Sequence, residues 1–188
     1  MKKLNFRILL SLFVISTLFV GCSDDEDAPK NHITYDGVTK TISAGLLENY
    51  GSAGLSSYNF DITLYEGLKY SQTTGFSGTG NLIYFELFSS SATELVPGTY
   101  TYDALETTNA NTFDAGFIAI GIEIASETAD EIIYIASGKV TVKKDGSTYT
   151  IDIDCTSTDG KKITGYYKGS LSYEDYTTYG RKKSSLVK

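Results

Sequence analysis

The chain predicts a single all-β domain: an antiparallel meander of about 8–10 strands, closed as a barrel or doubled into a sandwich. Three observations carry that expectation. Apolar and polar residues alternate with a period of two over much of residues 32–180, where a helix would repeat every 3.6. Glycine is frequent, 18 of 188 residues, and clusters of Gly, Asp, Asn and Ser break the chain at strand-length intervals. The alternating runs are rich in Tyr, Thr and Ile, which fit a pleated, half-buried surface.

Taken in order, the chain opens on Lys2, Lys3 and Arg7 without an acid, followed by the apolar run Ile8 to Val20. A basic start, a short apolar stretch and a small residue before the cut predict a secretory signal over residues 1–21. The run is too short for a comfortable membrane span, which needs roughly 20 apolar residues. Residues 22–31 are a polar, acidic tether, and 32–180 are the domain. Ile33 to Ile42 reads as a first strand, and Ser43 to Ser57 is ambiguous: Ala44 to Tyr50 fits a helical turn, but three glycines nearby argue for loop. Tyr58 to Tyr65 alternates as a strand, and Gly67 to Gly80 reads as a flexible loop. Asn81 to Phe88 is apolar on both faces, as a central strand is. Pro97-Gly98 is a turn that releases the short strand Thr99 to Tyr102, and Thr107 to Asn111 is loop.

Phe113 to Ile124 and Glu131 to Val142 are long strands, the first with Ile118, Ile120, Ile122 and Ile124 on one β-branched face. Two turns then set register. A two-residue turn at Asp145-Gly146 pairs Val142 with Tyr149 and Val140 with Ile151, apolar beside apolar. A three-residue turn at Thr158-Asp159-Gly160, with Gly160 left-handed, pairs Cys155 with Ile163 and Ile151 with Tyr167. Gly165 and Gly169 fall on that inward side, a pattern that bends a strand. The tail, Arg181 to Lys188, holds four basic residues in eight and is expected to fray.

Gly21-Cys22 resembles a bacterial lipoprotein box, although Phe19 stands where leucine is commoner. The resemblance implies acyl chains on Cys22 that hold the mature protein to a membrane; two or three chains anchor stably where one does not. Ser23-Asp24-Asp25-Glu26-Asp27 is similar to the surface-export signal of Bacteroidota lipoproteins, and implies display at the cell surface on the outer membrane, with the periplasmic face of that membrane as the alternative. The plain alternative is a solvated acidic tether extended by its own repulsion. The stretches Val96 to Tyr102, Gly138 to Val142 and Gly165 to Gly169 resemble small lipoproteins of Bacteroides and relatives, some with calycin-like barrels or sandwiches. No functional residue comes with that likeness.

Of 16 Lys and Arg, three lie in the signal, leaving 13 against 23 Asp and Glu, a net charge of −10. That balance argues against nucleic acid and against electrostatic adhesion to anionic lipid. Once Cys22 is acylated, Cys155 is the one remaining cysteine and reads as a buried small hydrophobe. The single histidine, His32, sits at the tether, so Cys/His zinc chemistry is not expected. Neither a metal nor a cofactor is expected.

No nucleophile elbow, phosphate loop or His-based triad is legible, so no catalytic residue is assigned; Gly75 to Gly80 lacks the lysine and helix of a phosphate loop. Asp152 and Asp154 share the outer face of one strand and read as aggregation-resisting surface charge, while Asp61 and Asp103 look isolated. With no Trp and 15 Tyr, candidate ligand-binding side chains are Tyr166, Tyr173, Tyr176 and Tyr179. The functional expectation is a non-enzymatic binding module, lipid-anchored at the envelope, for a glycan or an outer-membrane protein partner. The alternatives are a structural envelope lipoprotein without a small ligand, or a hydrolase that works with carboxylates alone.

Overall fold

A computed structural model describes residues 30–178. Among them the regular structure is all strand: β1 (His32–Tyr35), β2 (Val38–Thr41), β3 (Ala44–Ser52), β4 (Tyr58–Glu66), β5 (Lys69–Ser71), β6 (Gly75–Ser77), β7 (Thr79–Ser89), β8 (Gly98–Tyr102), β9 (Thr112–Glu123), β10 (Glu131–Asp145), β11 (Thr148–Ser157), β12 (Lys162–Gly169) and β13 (Ser172–Asp175). Eleven form one sheet in the order β13-β3-β4-β7-β9-β8-β10-β11-β12-β1-β2, while β5 and β6 make a separate hairpin. Only two residues separate β12 from β13, yet β13 pairs with β3 at the far end of the order. The sheet therefore curls into a half-barrel.

Curling buries the concave face. Phe60, Ile62 and Leu64 of β4, Phe85 of β7, Val140 of β10, Ile151 of β11 and Ile163 of β12 all point into one core. Tyr100 of β8 is fully buried there and donates its hydroxyl to the Val96 carbonyl at 2.7 Å, so its polar tip is satisfied. A second, smaller core lies on the convex face of β3, β4, β7 and β9, around Leu46, Tyr65, Leu82 and Phe117. The β5–β6 hairpin covers it: the Phe76 ring meets Tyr65 edge-on at 5.0 Å and Tyr70 at 5.1 Å.

Several sequence expectations are corrected. The sheet is mixed, because β8–β9 and β13–β3 run parallel. The first predicted strand is a hairpin, β1 and β2, turned at Asp36 (φ 48°) and Gly37 (φ 77°) as a type I′ turn demands. His32 belongs to β1 and pairs with Tyr166. Ser43 to Ser57, which reads as helical turn or loop, holds β3, and Gly67 to Gly80 holds the covering hairpin where a loop is expected. β3 sits where the sheet is covered on two faces, so period-two alternation is lost there, while β5 and β6 are three residues each, too short to show a period.

The final hairpins test register. Cys155 pairs with Ile163 and Ile151 with Tyr167, as predicted, with Gly160 left-handed at φ 82°. The β10–β11 turn instead sits one residue later than expected. Asp145 pairs with Thr148 across Gly146-Ser147, which sets Val142 beside Ile151 and Val140 beside Ile153. Gly146 alone takes positive φ (57°), the mark of a type II′ turn with glycine first, whereas centring the turn on Asp145 needs positive φ from an aspartate. Moving the turn by one residue shifts the partner by two, so each side chain keeps its predicted face. The isoleucine row of β9 does switch faces. Gly121, at φ 60°, breaks the alternation, leaving Ile118 and Ile120 toward the main core and Ile122 in the convex one.

Candidate functional site

A cleft of about 320 Å³ opens where the β1–β2 hairpin faces β9 and the start of β10. Three hairpins build it. Ile33, Ile118 and Ile120 form an apolar floor, Tyr35 and Val38 a wall, and Asp36, Lys40, Glu131 and Lys161 a charged rim. Because Tyr35 pairs with Val38 and Ile33 with Lys40, those four side chains share one face of the hairpin. Thr34 and Thr39 face the other way, their hydroxyls 2.8 Å apart.

The rim is held by a small polar cluster. Tyr35 donates to the Asp159 carboxylate at 2.8 Å, and Lys161 lies 2.9 Å from Asp36, 3.4 Å from Asp159 and 5.3 Å above the Tyr35 ring. Hydrogen bonds from Ser157 and then Tyr35 hold the Asp159 carboxyl down at about 2. The hydrogen bond to Asp36 raises Lys161, and the hydrogen bond to Asp159 raises the Tyr35 phenol. Each shift moves a group away from neutral pH. Asp159 and Lys161 therefore stay charged and the Tyr35 phenol neutral around neutral pH. The cleft can hold an apolar group under a charged rim.

The tyrosines chosen from sequence do not converge on this cleft. Tyr166 stands on the outer face of β12 between His32 and Asp152. Tyr173 is exposed at the β13 edge, its hydroxyl 3.3 Å from the Asn49 amide. Tyr176 stacks on Tyr50 at 5.4 Å and lies 3.5 Å from the Tyr70 hydroxyl. Tyr179, the signal, Cys22, the Ser23, Asp24, Asp25, Glu26 and Asp27 run, and the basic tail lie outside the described residues.

Asp152 and Asp154 do face outward, where Lys143 lies 3.5 Å from Asp152 and Lys162 meets Asp154. Cys155 is fully buried beside the Lys139 carbonyl, and burial pushes its thiol up to about 11. Among the described residues no cluster of His, Cys, Asp and Glu has the makings of a metal site. Asp103 closes its own loop by accepting from the Leu105 and Thr107 amides.

Asp61 is not isolated. It is 3% exposed and accepts from Tyr84 at 2.6 Å and from Asn59 at 2.9 Å. It belongs to a row of acids, Glu174, Glu48, Asp61 and Glu86, which are cross-strand partners on β13, β3, β4 and β7. Three of the four left a signal, each an acid within a largely apolar run: Leu-Leu-Glu for Glu48, Phe-Asp-Ile for Asp61 and Phe-Glu-Leu for Glu86; Glu174, in Ser-Tyr-Glu-Asp-Tyr, left none. The cleft left no such trace, since its lining comes from three separate parts of the chain, Ile33 to Lys40, Ile118 to Glu131, and Lys161.

Comparison with protein families, with curated proteins and with solved structures found no match to this chain.

Proposed function

We propose that this is a lipid-anchored envelope protein, displayed on the outer membrane through Cys22, whose β-domain is a non-enzymatic module that binds an extended segment of a partner protein beside β2. The observation that carries this reading is the free outer edge of β2 next to the cleft. Among the described residues β2 ends the strand order and pairs with β1 alone. Across the two-residue turn, Val38 and Lys40 direct their backbone groups to β1, so Thr39 and Thr41 present theirs to the open edge. An added strand takes backbone hydrogen bonds there, and an alternate apolar side chain enters the Ile33, Ile118 and Ile120 floor. A protein segment fits better than a sugar, because the cleft has one aromatic ring, Tyr35, and Lys161 sits over it.

The test is a display library of twelve-residue peptides selected against residues 23–188. The reading expects enrichment of alternating apolar sequences whose affinity falls at least tenfold in Thr39→Pro. That change removes an edge donor and leaves the β1 pairing intact. Peptides that bind Thr39→Pro equally well, or selective binding of a polysaccharide unaffected by it, would overturn the reading.

A further inference from the structure

We infer that Lys40 selects the partner: the segment docked beside β2 carries a single Asp or Glu opposite Lys40, two residues before the apolar side chain opposite Val38. The inference rests on the strand-addition reading above and names what that strand must contain. Lys161, the other cation of the rim, is taken up by Asp36 at 2.9 Å and by Asp159 at 3.4 Å. Among the described residues Lys40 makes no ion pair. It nevertheless lines the cleft and is half-buried between the exposed Thr39 and Thr41. Its neighbours in the sheet explain why it has no acid. Ile33 lies directly across, Asn31 and Tyr35 hold the diagonal positions, and Val38 and Ile42 share its face along the strand. Within the described sheet, a carboxylate can face Lys40 at close range only from the next strand outward, and that place is the open edge.

An added strand puts an acid there. Because Lys40 turns its backbone groups to β1, it forms a non-hydrogen-bonded pair with the residue opposite it on the outer side. Facing side chains come closest in such pairs, about 4.5 Å between Cα atoms. Antiparallel addition, the more stable sense, sets the residue opposite Lys40 two positions ahead of the one opposite Val38. An ion pair on this half-buried stem is partly withdrawn from water and less screened than one in open solvent. The acid is single because Asp36 and Glu131 stand on the same rim, so a run of acids is repelled. The β2 strand of a second copy does not supply the acid, since Val38-Thr39-Lys40-Thr41 holds none.

The experiment takes twelve-residue peptides selected on residues 23–188 whose binding depends on Thr39. They are synthesised with acetylated and amidated ends, so that only side chains carry charge. Their shared pattern is expected to hold Asp or Glu two residues before an apolar position. Replacing that acid by Gln is expected to weaken binding about fivefold in about 20 mM salt, and under about twofold in about 1 M salt. On Lys40→Gln the acid and Gln peptides are expected to bind within about twofold of each other, which ties the acid to this side chain. On Lys40→Glu the preference is expected to reverse toward a peptide with Lys at that position. The Gln peptide serves as the check on folding, because it should bind Lys40→Gln as tightly as it binds the native chain. Thr39-dependent peptides without an acid at that position, or an acid whose contribution survives Lys40→Gln, would overturn the inference and leave the strand-addition reading in place. A selection that yields no Thr39-dependent peptide would overturn both.

Discussion

The two halves of the curled sheet are built on different terms. In β3, β4, β7 and β9 both faces are covered, the concave one by the main core and the convex one by the β5–β6 hairpin. In β11 and β12 only the concave face is covered, and buried and part-exposed residues alternate along Thr148–Ser157 without interruption. On the convex side of that second half, Lys143 meets Asp152 and Lys139 lies 4.0 Å from Asp154. One half spends its outer face on a second core and a row of acids. The other spends it on solvated ion pairs that keep the sheet soluble.

Three substitutions break or sharpen that contrast. Leu82→Ala strikes the convex face of the covered half, where Leu82 is 3% exposed. It is expected to cost about 2–4 kcal/mol in urea unfolding, as a concave-face deletion would. A cost below about 1 kcal/mol would mean that this face is not a core. Phe76→Ala removes the ring that packs on Tyr65 and Tyr70. A loss of about 1–2 kcal/mol is expected, with increased binding of an apolar dye as the hairpin loosens from the sheet. Asp152→Ala strikes the convex face of the open half. Its side chain is 46% exposed and that of Lys143 69%, so the change is expected to move stability by under about 0.5 kcal/mol. If Asp152→Ala cost as much as Phe76→Ala, the distinction between the halves would fail.

The same contrast decided what was legible in the sequence. Where one face meets water, the period-two pattern declares strand, face and register together. Cys155 and Ile163 were placed opposite each other because both alternate with polar neighbours. Where both faces are covered, the apolar runs lose their period. Leu46-Leu47-Glu48-Asn49-Tyr50 then resembles a helical turn or a loop, although it is the middle of β3. Gly121 shows a further limit: a single left-handed residue sends Ile122 to the opposite side of the sheet, and composition alone does not reveal it. The cleft was illegible for another reason. Ile33, Ile118 and Lys161 meet only because the sheet curls, and curling is a property of the whole sheet rather than of any segment.

The pairing of β13 with β3 also bears on how the chain folds. Leu46 lies beside Ser172, and His32 beside Tyr166, so contacts at both ends of the strand order join residues more than a hundred positions apart. Contacts of such sequence separation bring a high loop-closure entropy and slow folding. Until Ser172 to Asp175 arrives, the outer edge of β3 has bare backbone donors and acceptors, the kind of edge that recruits other chains. Among the described residues the last strand to be synthesised is thus the one that quenches the open edge of β3, and the interval before it docks leaves that edge exposed to aggregation.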